Sequence, residues 1–301
     1  MQEIIIGAVS LGLLWAVMTI GVYISYSVLG MADMTAEGSI TLGAAVAAQA
    51  IAGGGGAYIG LLLAILCGMA AGLCNGLLHT KLKIPSLLSG ILTMTALFSI
   101  NLHIMGKANI SLLRMPTIYS PVASLLGIDK GLSVIVVGLL VCGAVISLLY
   151  WFFGTEIGSA IRATGNNPHM VRAQGINTDT TIIIGMVLSN GLIALSGAMI
   201  GQSQNYADLQ MGTGAIVIGL ASLFIGEVLF GKRNFFIRLS SMVAGAIIYR
   251  LIIAFVLKLG MPADDLKLFT AITVVLALTL PGIKKAAQAR RRALPGGQQH
   301  A

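Results

Sequence analysis

Apolar runs of about 20 residues, the length a helix needs to cross a bilayer, dominate this chain. They fall at about 4–29, 38–52, 57–79, 84–106, 132–153, 181–201, 213–231, 239–257 and 267–282. Asp, Glu, Lys and Arg make up only 9% of the 301 residues, against about 25% in a soluble domain. A soluble fold would need a core with almost no surface. The fold class is therefore all-α, a polytopic helical membrane bundle of about 8–10 transmembrane segments. The second run is short and "GGGG" (53–56) follows it, so a tilted or broken helix is expected there. The first run has no basic leader and is too long for a signal peptide, so it is expected to stay as a span.

A net charge of +8 would suggest nucleic acid in another setting. Here Lys and Arg sit in short gaps and in the tail, the signature of cytoplasmic loops, and no basic stripe carries interleaved aromatics. "HTKLK" (79–83), the interval 154–180, "GKRNFFIR" (231–238) and "KKAAQARRR" (284–292) all fall inside if the runs alternate. The loops at 107–131, 203–212 and 259–266 then fall outside, with the C-terminus in and the N-terminus out, or in if the second run is re-entrant. Cys67, Cys74 and Cys142 lie in apolar runs, and an odd count there reads as small buried hydrophobes rather than a disulfide framework.

The sequence echoes itself. "ADMTAEGSI" (32–40) precedes the second run and "ADLQMGTGAI" (207–216) precedes the seventh. By parity the first begins inside and the second outside, the pattern of an inverted repeat. Runs such as "GLLLAILCGMAAGLCNGLL" (60–78) are rich in small residues, which let helices approach closely in lipid.

One polar stretch interrupts the apolar chain: "GSAIRATGNNPHMVRAQGIN", 158–177. Asn167 suits an N-cap, Pro168 the first helical position and Gly175 the C′ position, which predicts a helix of about two turns over 168–174. A helix this short must lean on something. Ile157 and Ile161 are spaced to share a face, with Arg162 on the other side. Met170 and Val171 are apolar residues on a polar loop. They either lie on their own bundle or dock a cytoplasmic partner.

"GTEIGSAIRATGNNPHMVRAQGIN" resembles the central cytoplasmic loop of permease subunits in the branched-chain amino acid and ribose-type family of ATP-binding cassette importers. "ADMTAEGSITLGAAVAA" (32–48) and "GTGAIVIGLASLFIGEVLFGKRN" (212–234) are similar to two further family segments, in the same order. The resemblance spans about 4–282 and is nearest to a branch linked to aromatic amino acid uptake. It departs at "GEVLFGKRNFFIR", where the family has a glycine-rich loop. It implies a permease domain over 1–282, with 154–180 as the coupling loop and 283–301 as a basic cytoplasmic tail. Coupling to the ATPase would fall to Gly158, Arg162, Gly165, Asn167, Pro168, Met170, Val171, Arg172 and Gly175. The implied partners are ATP-binding cassette ATPase subunits, an extracytoplasmic solute-binding protein, a second permease copy and membrane lipid. The implied location is the plasma membrane of a prokaryote.

"GEVLFGK" (226–232) fits a phosphate-binding loop by letter, but Arg233 stands where Ser or Thr must hold the metal ion, and the stretch ends an apolar run. ATP hydrolysis is therefore expected in another chain. His79, His103, His169 and His300 lack metal spacing, no catalytic set emerges, and neither cofactor nor metal is expected. His103, close to Asn101, reads as a buried, hydrogen-bonded histidine or a pathway residue. Arg250, inside the eighth run, costs about 2.5–3.5 kcal/mol to insert and is a pathway candidate, unless it snorkels toward Lys258 or pairs with an acid. Glu227 is the other candidate, as the one acidic residue clearly within a run. Asp33 and Glu37, near the inner face, read as capping or helix-packing residues rather than substrate contacts. The rival reading is a secondary transporter built on inverted repeats. A membrane scaffold or enzyme lacks a catalytic set.

Overall fold

The computed structural model describes residues 2–231, 234–259, 268–272, 275 and 279. The described chain is almost wholly helical. Its elements are α1 (Gln2–Tyr23), a π-helical turn (Ile24–Val28), α2 (Thr35–Ala52), α3 (Ala57–Thr80), α4 (Ser86–Met105), β1 (Asn109–Ser111), α5 (Ser120–Leu126) and α6 (Lys130–Gly154). Then come α7 (Glu156–Asn166), α8 (Pro168–Ala173), α9 (Thr178–Gln204), β2 (Tyr206–Asp208), α10 (Ala215–Phe230) and α11 (Phe235–Lys258). Six of the described helices are long and apolar enough to cross a membrane: α1 with its π turn, α3, α4, α6, α9 and α11. The expected run at 38–52 became α2, of 18 residues, and that at 213–231 the shorter α10, of 16; neither is among the six. The run at 267–282 lies mostly outside the described residues.

Two helices, α1 and α9, form the spine. They run antiparallel, tied by Ser196 Oγ donating to Leu14 O and Ser189 Oγ to Gly21 O, both at 2.8 Å. Around α9 stand α2 and α3, and around α1 stand α10 and α11. Helices of the first half thus pack on α9 and helices of the second half on α1. The letter echo has a local counterpart as well. Asp33 accepts from Thr35 N at 2.9 Å, and Asp208 accepts from Gln210 N at 2.8 Å.

Lipid supplies no hydrophobic drive between helices, so the seams depend on close backbone approach. A Cβ on Gly72 of α3 would lie 2.3 Å from Met186 O of α9, and one on Gly226 of α10 would lie 2.3 Å from Ser241 O of α11. The outer faces of α3, α4 and α6 carry exposed leucines instead. Of the cysteines Cys142 is buried, but Cys74 is on the exposed side of α3, against the expectation for all three.

The loops expected at 107–131 and 203–212 meet: β1 pairs antiparallel with β2, Ile110 opposite Ala207. Lys130 Nζ donates to Asn205 Oδ1 at 2.7 Å and Tyr119 OH to Met199 O at 2.9 Å, fastening this lid to the end of α9. The third loop, 259–266, lies outside the described residues except for Leu259.

Candidate coupling surface and interior polar cluster

The polar interval forms two helices at a sharp angle of chain. Thr155 caps α7 by accepting from Gly158 N at 3.3 Å, and Asn167 caps α8 by accepting from Met170 N at 3.1 Å. Pro168 takes the first turn of α8, which has six residues, one fewer than the 168–174 expected. Gly175 follows with a φ of +83°, a left-handed value that releases the chain toward α9.

What the helix leans on is the bundle, through a few residues. Ile161 and Val171 are 0% exposed, and Thr164 Oγ1 lies 2.8 Å from Thr181 Oγ1 of α9. Ile157 does not share the buried face of Ile161. Gly158 takes the close contact instead, with its Cβ position 2.4 Å from Phe153 Cα at the end of α6. Gly165 presses against the π turn, where a Cβ would lie 1.7 Å from Val28 O.

Met170 and Val171 part company. Val171 is an anchor in its own protein and offers nothing to a partner, whereas Met170 is 49% exposed. Arg172 is exposed too. Its Nε donates to Thr178 Oγ1 at 2.6 Å and its guanidinium lies 3.9 Å from Asp179. Arg162 turns to the bundle and stacks over Phe235 at 5.6 Å. A two-turn helix therefore presents Met170 and Arg172 outward, held from beneath by Val171 and Thr178.

The interior holds a group that lies deeper than sequence reasoning suggests. Asp33, read as a capping or helix-packing residue near the inner face, does accept from Thr35 N at the start of α2, but it is 2% exposed, between α2, α3 and α9. Asn75 Nδ2 donates to its Oδ1 and Asn190 Nδ2 to its Oδ2, each at 2.8 Å. Asn190 Oδ1 accepts in turn from Ser39 Oγ at 2.6 Å. Asn190 is near the middle of α9, about 18 Å from its start at 1.5 Å per residue. The chain between the π turn and α2 therefore enters the bundle to mid-depth. The signal was present in the letters: one acid and two asparagines in or beside apolar runs, each costly to bury alone.

Nearby, α2 meets the start of α10. Glu37 Oε1 accepts from Gly214 N at 3.0 Å, and Thr41 Oγ1 from Gly212 N at 3.1 Å. Glu37 is thus the N-terminal anion of a helix other than its own.

The pathway candidates scatter. Glu227 faces Arg238, 3.5 Å away, at the end of α10. Among the described residues the one fully buried acid is instead Asp33, which removes one argument raised against a secondary transporter. His103 is exposed on α4, its Nδ1 2.9 Å from Ser99 O, while Asn101 is buried and donates to Gly38 O at 3.2 Å. Two residues apart on a helix point to nearly opposite sides, so the two cannot share an interior. Arg250 neither snorkels toward Lys258 nor meets an acid among the described residues. Its guanidinium lies over the Trp15 ring, 4.4 Å from the centroid. No group of three or more His, Cys, Asp or Glu that could hold a metal stands among the described residues.

Comparison with known proteins adds to this geometry. A family model described as the permease component of branched-chain amino acid transport systems matches residues 4–278. The chain is 41% identical over 271 residues to a tyrosine transport system permease protein of Clostridioides difficile, covering 90% of this chain and 89% of that one. It is 32% identical over 288 residues to an uncharacterized protein of Rickettsia prowazekii, covering 94% and 99%. It is 26% identical over 199 residues to the autoinducer 2 import system permease protein LsrC of Yersinia pseudotuberculosis, covering 64% and 53%. No solved structure matches.

Proposed function

Because the chain belongs to the family of permease components of branched-chain amino acid transport systems, we propose that its cargo is an aromatic amino acid, tyrosine first. The chain is a multi-pass membrane protein, a permease subunit of an ATP-binding cassette importer, and the secondary-transporter reading gives way to that membership. The observation that carries the cargo is the near full-length similarity to a tyrosine permease. Two copies would enclose the pathway. ATPase subunits would dock against α7 and α8, and a solute-binding protein would meet the β1–β2 side. The C-terminus and the basic tail 283–301 would be cytoplasmic.

In this arrangement α8 receives the stroke of the ATPase. Gly158 and Gly165 seat α7, Asn167, Pro168 and Gly175 fix the ends of α8, Val171 anchors it, and Met170 and Arg172 touch the partner. Arg162 holds α7 to Phe235. The deciding experiment reconstitutes the permease with its ATPase and binding protein and follows tyrosine uptake. Met170→Asp should insert and fold normally, since its side chain is exposed, yet lose ATPase co-purification and uptake. A cysteine at Met170 should label from the cytoplasmic side. Uptake by Met170→Asp at the wild-type rate, with its ATPase still bound, removes α8 as the coupling element.

Arg250 is assigned to the pathway, with Trp15 as its support. A planar guanidinium stacks on an indole in a way that a lysine ammonium on a flexible stem does not reproduce. Arg250→Lys should therefore lower uptake several-fold at normal expression. Full uptake in Arg250→Ala would strip the residue of this role.

A further inference from the structure

At the end of the bundle that carries α7, two guanidiniums flank one hollow of about 480 Å³. Tyr23, Ser27, Arg162, Asn166, Phe235 and Arg238 line it. Arg162 stacks over Phe235 and Arg238 over Tyr23, at 5.6 and 5.4 Å. The Nε atoms of both are buried and have no hydrogen-bond partner. One carboxylate serves the pair: Glu227 lies 3.5 Å from Arg238, and no ion pair reaches Arg162 among the described residues. Both side chains are only half-buried, but a guanidinium with spare donors out of reach of solvent favours an anion that meets them. The π turn of α1 contributes Ser27 and Val28 to the wall, and such turns recur at functional sites.

The chemistry called for is an oxyanion that takes several N–H donors at once, as a phosphate does from arginine. A second hollow of about 600 Å³ shares Arg162 and Phe235 and is walled by Tyr150 and Trp151. Trp151 is 71% exposed and lies near the last turn of α6. Tryptophan and tyrosine near the end of a span mark the level of lipid headgroups. The charged hollow therefore adjoins a surface suited to acyl chains. We propose that Arg162 and Arg238 bind the phosphate of an anionic membrane lipid. The lipid lies along Tyr150 and Trp151 and bridges α1, α7 and α11. Free phosphate has the same headgroup chemistry but no use for the aromatic wall.

The test uses the full-length permease in nanodiscs of phosphatidylglycerol or phosphatidylcholine. Modification of Arg162 by phenylglyoxal, mapped by mass spectrometry on the wild-type protein, should be several-fold slower in phosphatidylglycerol. Arg162→Gln and Arg238→Gln should each lose the thermal stabilisation that phosphatidylglycerol gives the wild type. Equal modification in the two lipids overturns the site. Equal protection by inorganic phosphate in phosphatidylcholine overturns the lipid as its source. Protection only when the ATPase subunit is added makes the occupant an acidic protein side chain and also overturns it. The labelling arm needs no variant, so a misfolded substitution cannot leave the question open.

Discussion

Alanine at Asp33 should abolish uptake and sharply reduce the amount of folded permease. Three donors converge on this carboxylate: Thr35 N, Asn75 Nδ2 and Asn190 Nδ2. Removing the acceptor leaves them facing an apolar methyl at mid-depth. A buried donor without a partner costs about 1–3 kcal/mol, and interhelical bonds in lipid fall at the lower end of that scale. The loss concentrates where the chain has no regular structure of its own, residues 29–34, so nothing local can compensate. Asp33→Asn should fail in a more instructive way. It keeps the shape but turns an NH₂ toward one of the asparagines, donor against donor. Pairing it with Asn190→Asp restores an acceptor opposite that NH₂ and should recover part of the melting temperature. Melting of detergent-purified protein, beside uptake in cells, reads all three variants. A wild-type melting curve for Asp33→Ala would mean that the cluster holds nothing together.

The apolar runs made the bundle legible, because span length and backbone satisfaction leave few choices in lipid. Capping letters at Asn167, Pro168 and Gly175 made α8 legible for the same local reason. Depth was not legible. Asp33 and Asp208 sit in the same words, "AD", yet one is buried at mid-bundle and the other partly open beside β1. The difference comes from Asn75 and Asn190, far away in sequence, and no local pattern announces that meeting. Val171 and Met170 are adjacent letters of similar character. Which of them turns inward depends on how α7 seats against α9. The side chain that Arg250 would find, Trp15, was likewise more than two hundred residues away.

Alanine at Gly165 should leave the permease in the membrane at close to normal level and still stop transport. The added Cβ would lie 1.7 Å from Val28 O and 3.0 Å from Leu29 Cα. Both are backbone atoms, so no side chain can swing aside, and α7 must lift away from the π turn. The long spans do not depend on that contact, which is why insertion should survive. What is lost is a mechanical link. Residues 28–30, which Gly165 touches, run straight into Asp33, and Asp33 is tied to α3 and α9 just before α2 begins. Movement of α7 therefore reaches the mid-depth break through six residues of chain, from Val28 to Asp33. Gly154→Ala is the control, since a Cβ there meets nothing within 4 Å and the position ends α6. That variant should transport like the wild type. Gly165→Ala should show ATPase still bound through Met170 and Arg172 but uptake reduced at least tenfold, a barrier increase of about 1.4 kcal/mol or more. Normal uptake by Gly165→Ala would break the link between the coupling loop and the interior cluster, and α8 would have to act on the bundle through α9 instead.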